Sequence, residues 1–291
     1  MINNSGSRFR HYLELSKLKI MIPVSLTGFT GYYIFNSHLS LKIALVTLGI
    51  LLTAISASVM NQIQEAGLDA KMARTKDRPL PAKKLNLKHS WIFFFFSLLA
   101  GLALIYTTGN IKAAAISLFT LLWYNGIYTY SKRITAFAVV PGALTGALPP
   151  LIGWVAAGGG IWDKPIIFLE FLFFAGQVPH FWILILKYGN EYRDAGIPSL
   201  VNVFSRRQIN RLTFIWVILS VIAALFLCYF EIILSIPATG ILLFASVIVV
   251  WQFSGLTRKQ GLTYDYRKYS IILDLYFLLI LILLILDKMI V

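Results

Sequence analysis

Asn61, Glu65 and Asp69 stand at i, i+4 and i+8 at the end of a long apolar run. On a helix these positions stack along one face, about 6 Å apart per step. One carboxamide and two carboxylates in that arrangement suit a hard divalent cation. Mg²⁺ in particular takes one or two carboxylates and completes its shell with substrate phosphates. Lys71, Arg74, Lys76 and Arg78 follow within ten residues and suit a polyanion. Oxygen ligands followed by cations at a membrane edge imply a site for an isoprenoid diphosphate. The competing reading is a solvated helix end beside a basic loop that acts only as a topology signal.

The elements that would carry this site are membrane helices. The chain has 291 residues, 58% hydrophobic and 13% charged, with a mean hydropathy of +0.76. That composition belongs to a polytopic membrane protein. The net charge of +14 does not point to nucleic acid, because the positive residues lie between apolar runs and form no continuous patch. The single cysteine, Cys228, excludes an intramolecular disulfide and a thiolate metal site. The N-terminus has no short apolar core with a small-residue cleavage site, so no cleaved signal is expected.

Nine apolar runs predict nine transmembrane helices in a single all-α domain over 1–291. They fall near 16–36, 41–64, 90–107, 111–130, 136–157, 164–186, 212–230, 232–253 and 269–287. Two long polar loops, about 61–88 and 187–211, carry the candidate site. With a cytoplasmic N-terminus, 22 of the 26 Lys and Arg residues lie on the cytoplasmic side, as the positive-inside rule requires. The C-terminus then lies outside, and both long loops share one side with Lys132 and Arg133.

Three stretches carry a resemblance. Asn61-x-x-x-Glu65-x-x-x-Asp69, continued by Met72-x-Arg74-Thr75-x-x-Arg78-Pro79, resembles the first acidic motif of the UbiA superfamily of intramembrane prenyltransferases. Tyr128 to Thr135 with Lys132-Arg133, then Gly142-x-x-x-Gly146-Ala-Leu-Pro149-Pro150, resembles the haem O synthase branch of that superfamily. So does Pro179-His180-Phe181-Trp182 followed by Lys187-Tyr188 and Glu191-Tyr192-Arg193-Asp194-Ala-Gly-Ile-Pro198. Most members carry a second acidic pair where this chain has Tyr188 and Tyr192. That difference separates the haem branch from the quinone branch.

The resemblance implies a UbiA-type helical bundle that moves a farnesyl group from farnesyl diphosphate to haem b, with haem as substrate and not redox cofactor. It implies Mg²⁺ on Asn61, Glu65 and Asp69. Lys71, Arg74, Arg78, Lys132, Arg133 and Lys187 would hold the diphosphate. Tyr128 and Tyr188 would face the carbocation through their rings. His180, Trp182 and Tyr192 are the haem-binding candidates, His180 because imidazole suits iron. It also implies lipid contact and a haem A synthase or terminal oxidase assembly protein as partner. An N-terminus without transit-like character leads to the expectation of a bacterial inner membrane. The alternatives are prenyl transfer to a quinone precursor or other aromatic acceptor, and a transporter.

Several details stay open at this level. Leu18 in Lys17-Leu18-Lys19 replaces the branch's usual proline. Ala66-Gly67 replaces its usual Arg-Asp, and Gly67 weakens the helix by about 1 kcal/mol, which puts the stacking of Asp69 in doubt. Gly142 and Gly146 form a small-x-x-x-small pair that suits close helix packing. Pro149-Pro150 is expected to break or kink its helix. Glu191 and Asp194 stand near the missing acidic pair, although Lys187 and Glu191 at i, i+4 also suit a helical ion pair. Glu170 and Asp274 lie near span ends and could reach the interface.

Overall fold

The computed structural model describes residues 4–194, 196–258 and 264–290. Only the backbone is described at 4–7, Asn190, Tyr192 and Arg258. The described residues form helices α1 (Asn4–Ser16), α2 (Leu18–Phe35), α3 (Leu41–Asp69), α4 (Leu87–Tyr106), α5 (Ile111–Leu122), α6 (Thr129–Ile134), α7 (Val139–Ala156), α8 (Lys164–Asp194), α9 (Arg206–Tyr229), α10 (Ile236–Arg258) and α11 (Tyr266–Ile290). Eight of these are long and apolar enough to cross a membrane. Of the nine expected spans, the run at 111–130 is not one α-helix and is not among the eight. Between α5 and α6, Trp123–Tyr128 is wound as a π-helix, so α5 alone is only 12 residues long.

The helices outrun the expected boundaries at one end of the bundle. α3 has 29 residues and α8 has 31. At 1.5 Å per residue these are about 43 and 46 Å long, against a hydrocarbon core of about 30 Å. The surplus carries polar sequence, from Asn61 on α3 and from Lys187 on α8. Much of the two expected polar loops is therefore helical. Gly67 does not end α3, which reaches Asp69, so the i, i+4, i+8 stack survives.

α7 forms the centre, with 72% of its spanning window buried. It runs through Pro149 and Pro150 without a break, which leaves of the expected break or kink only the kink. Its closest neighbour is α2. A Cβ on Gly153 would collide with the Gly28 carbonyl oxygen, and one on Gly31 with the Pro150 backbone. These glycines let two backbones touch, which is how helices gain dispersion contact in lipid. Gly142 and Gly146 serve otherwise. A Cβ on Gly142 would lie 2.6 Å from the Tyr128 ring, and one on Gly146 would lie 2.8 Å from the Gln177 side chain. They admit side chains rather than a neighbouring helix. Gly153→Val should therefore destabilise the fold by about 1–3 kcal/mol, read as a lower melting temperature in detergent. An unchanged melting temperature would contradict the backbone contact.

Asp287 shows a charge used purely for structure. Fully buried near the end of α11, it accepts from the backbone N–H groups of Leu234 (2.8 Å) and Ser235 (2.9 Å). It thereby fixes the turn from α9 into α10, far along the chain from the acidic stack.

Candidate active site

The stack on α3 is buried, with Asn61, Glu65 and Asp69 at 2, 8 and 5% exposure. Buried carboxylates need partners, and each has a cation. The Lys132 Nζ lies 2.6 Å from Glu65 Oε1, and the Arg78 Nη1 lies 2.7 Å from Asp69 Oδ2. The Asn61 amide donates to Glu65 Oε2 (2.9 Å) and to Thr129 Oγ1 (3.1 Å). Arg78 arrives because the loop after α3 folds back, with the Thr75 hydroxyl donating 2.8 Å to the Asp69 carbonyl.

Lys132 arrives because of the π segment. A π turn adds a residue to the helix and rephases everything after it. The Thr129 hydroxyl donates to the Tyr124 carbonyl five residues back. Asn125, buried in the segment, donates to the Ala57 carbonyl (3.1 Å) and to Gln64 Oε1 (3.2 Å), while Gln64 Nε2 donates back to the Asn125 carbonyl. These bonds clamp the segment onto α3 and aim Lys132 at Glu65. Its Nζ also lies 4.9 Å from the Tyr128 ring centroid. Arg133 donates to the Gln64 carbonyl and lies over Tyr130.

A second cluster closes the same end. Arg74 lies 5.2 Å over the Tyr188 ring and Lys187 lies 4.9 Å from it. The Arg74 backbone N–H donates to Glu191 Oε2 (3.2 Å), so α8 is tied to the loop after α3. Lys187, Tyr188 and Glu191 are on α8, not in a loop. The Tyr188 ring thus gathers two cations on an aromatic face.

The remaining candidates separate. Lys71 is exposed, with no ion pair among the described residues. His180 lies deeper on α8, with its Nδ1 3.1 Å from Asp274 Oδ1. Trp182 is buried edge-on to Trp216, and its indole N–H has no partner among the described residues. The Tyr192 side chain lies outside the described residues.

Lys17 is the residue that motif reading did not place at the site. It links α1 to α2 in the left-handed conformation (φ 47°, ψ 44°), which is uncommon for a residue with a Cβ. Leu18 takes the first position of α2, so the break forms without proline. The break is held from α3, where Gln62 Nε2 donates 2.6 Å to the Leu15 carbonyl. Desolvation lowers the Lys17 pKa to about 8, helped by the charges of Arg78 and Lys132 and opposed by Glu65 and Asp69. The group is thus charged below about pH 8 and neutral above it. Affinity for a prenyl diphosphate should fall as pH rises through 8, and Lys17→Arg should remove that step in a binding titration. A step that persists in the variant would assign it to another group.

The donor set fits a hard cation. Asn61 keeps its carbonyl oxygen without a partner among the described residues, and two carboxylates follow it along the same face of α3. No group of three or more His, Cys, Asp and Glu side chains exists among the described residues. A cation held by Asn61, Glu65 and Asp69 would draw only part of its shell from these side chains and would need substrate oxygens for the rest, as Mg²⁺ sites on phosphates typically do.

The sequence profile of the UbiA prenyltransferase family matches residues 22–283. A protoheme IX farnesyltransferase from Oleidesulfovibrio alaskensis is 33% identical over 217 residues, covering 75% of this chain and 77% of the relative. Another, from Legionella pneumophila, is 38% identical over 195 residues, 66% of each chain. Among solved structures, a digeranylgeranylglyceryl phosphate synthase matches with a TM-score of 0.78 at 20% identity, over 98% of this chain and all of the other. A UbiA homolog from Archaeoglobus fulgidus bound to GPP and Mg²⁺ matches with a TM-score of 0.69 at 14% identity, over 94% of this chain and 99% of that one. At these identities the structural matches establish a shared fold.

Proposed function

The chain belongs to the UbiA prenyltransferase family, and from that premise we propose that it transfers the farnesyl group of farnesyl diphosphate to a vinyl group of haem b. The observation that carries the reading is the pairing at the end of α3, where Glu65 and Asp69 each hold one cation. Similarity to protoheme IX farnesyltransferases supplies the acceptor. Tyr188 under Arg74 and Lys187, in place of an acid, favours that acceptor over a quinone precursor.

Asn61, Glu65 and Asp69 would hold Mg²⁺, which when bound supplies positive charge to the departing diphosphate. On substrate binding Lys132 and Arg78 turn from the carboxylates to the phosphate oxygens, joined by Lys17 and Arg74. The allylic C–O bond breaks and its electron pair leaves with the diphosphate, where these fixed cations stabilise it. The Tyr128 ring, already under the Lys132 ammonium, faces the farnesyl cation through its quadrupole. The apolar bundle keeps water from that cation. The vinyl carbon of haem bonds to it, water adds to the carbon left positive, and a proton is lost. The product carries a hydroxyethylfarnesyl group. We place the site end on the cytoplasmic side by the positive-inside rule, and the protein in a bacterial inner membrane.

The test is incubation of purified protein with haem b, farnesyl diphosphate and Mg²⁺, followed by mass spectrometry of the extracted haems. A haem with the mass of a hydroxyethylfarnesyl addition is expected. Unchanged haem from folded protein that binds farnesyl diphosphate would overturn the acceptor assignment.

A further inference from the structure

His180 on α8 and Asp274 on α11 meet inside the spanning part of the bundle, away from the acidic stack. Their Nδ1 and Oδ1 atoms are 3.1 Å apart, and their side chains are 33 and 57% exposed. Asp274, about two turns into α11, turns to His180 rather than to the interface expected for it. An ionisable pair within spanning helices is expensive, and packing alone gives no reason for it. Its surroundings are shaped. One turn farther from the site end, a Cβ on Gly176 would run into the Phe277 ring, so α8 and α11 are pressed together there. His180 is four residues after Gly176 and Asp274 three before Phe277. The pair therefore stands where the two antiparallel helices leave that contact. Nε2 of His180 has no partner among the described residues.

We infer that Asp274 is a positioning residue for haem: its carboxylate takes the Nδ1–H of His180 and fixes the tautomer that presents Nε2 to the iron. This rests on the haem reading above. Ligating histidines characteristically direct their second ring nitrogen to a carboxylate or carbonyl, which sets ring orientation and raises basicity. The place suits the substrate. Phe181 lies beside His180 (6.3 Å between ring centroids) and reaches Tyr128 at the prenyl site (6.0 Å). On the α11 side, Arg267 lies seven residues before Asp274, on the same helix face and roughly 10 Å nearer the basic end. Arg267 and Lys268 are exposed there and suit the propionates at the haem edge.

The experiment uses the full chain in lipid nanodiscs, titrated with ferric haem b and then reduced. Asp274→Asn should weaken haem about 10–100-fold, raise the reduction potential of the bound iron, and lower the iron–histidine stretching frequency. Binding of farnesyl diphosphate should not change. An Asn variant with wild-type potential and stretching frequency overturns the inference. Should that variant fold poorly, His180→Gly tests it instead. Added imidazole should restore the spectrum of bound haem better than 1-methylimidazole, which has no N–H for Asp274. Equal rescue overturns the inference. If the wild type farnesylates haem and these readouts do not move, only the role of Asp274 falls. If the wild type binds no haem at all, the haem reading falls with it.

Discussion

Glu65→Gln and Asp69→Asn should each lower prenyl transfer by about 10³-fold while leaving the protein folded in the membrane. The magnitude is the upper end for removal of one preorganised electrostatic group, because on the proposed metal assignment each change removes one of only two charged oxygen ligands. Folding should survive because the amides keep hydrogen-bonding capacity toward Lys132, Arg78 and Asn61. Transfer rates with farnesyl diphosphate, alongside melting temperatures, check this. Near-wild-type rates in both variants would remove the metal assignment.

Lys132→Met and Arg78→Met should each lower kcat/KM by about 10²-fold, mostly through KM for farnesyl diphosphate. They should also tighten divalent-metal binding in the absence of substrate. The second effect follows from the geometry, since each cation occupies the carboxylate a metal would use. An unpaired buried carboxylate is costly, and a metal relieves that cost. Titration with Mn²⁺ as a paramagnetic probe reads it directly. Weaker metal binding in both variants would mean that the pairs do not compete with the metal.

The spacing of Asn61, Glu65 and Asp69 made the stack legible, because helical periodicity alone puts them on one face. The spans were legible from hydropathy. What escaped has identifiable causes. The π turn at Trp123–Tyr128 leaves no mark in an apolar periodicity, since its hydrogen bonds to α3 come from Asn125 and Gln64, far apart in the chain. Pro149-Pro150 suggested a broken or kinked helix, and tertiary packing carries α7 through both prolines without a break. The role of Lys17 depends on its left-handed backbone, and a lysine does not advertise that conformation. Asp274 lay in a span with no distinguishing motif. Only the packing of α11 on α8 pairs it with His180.

The overhang of α3 and α8 beyond the hydrocarbon core sets where substrates are searched for. Glu65 and Asp69 sit on that overhang, and the apolar run of α3 ends at Met60, within two turns of Glu65. An amphiphile can thus keep its charged head in water and its tail among lipids from arrival to departure, without flipping between leaflets. Its encounter with the protein is a two-dimensional search within one leaflet. The relevant concentration is then the mole fraction of prenyl diphosphate in the membrane, so diluting the substrate with inert lipid should slow turnover even when its bulk molarity is held constant.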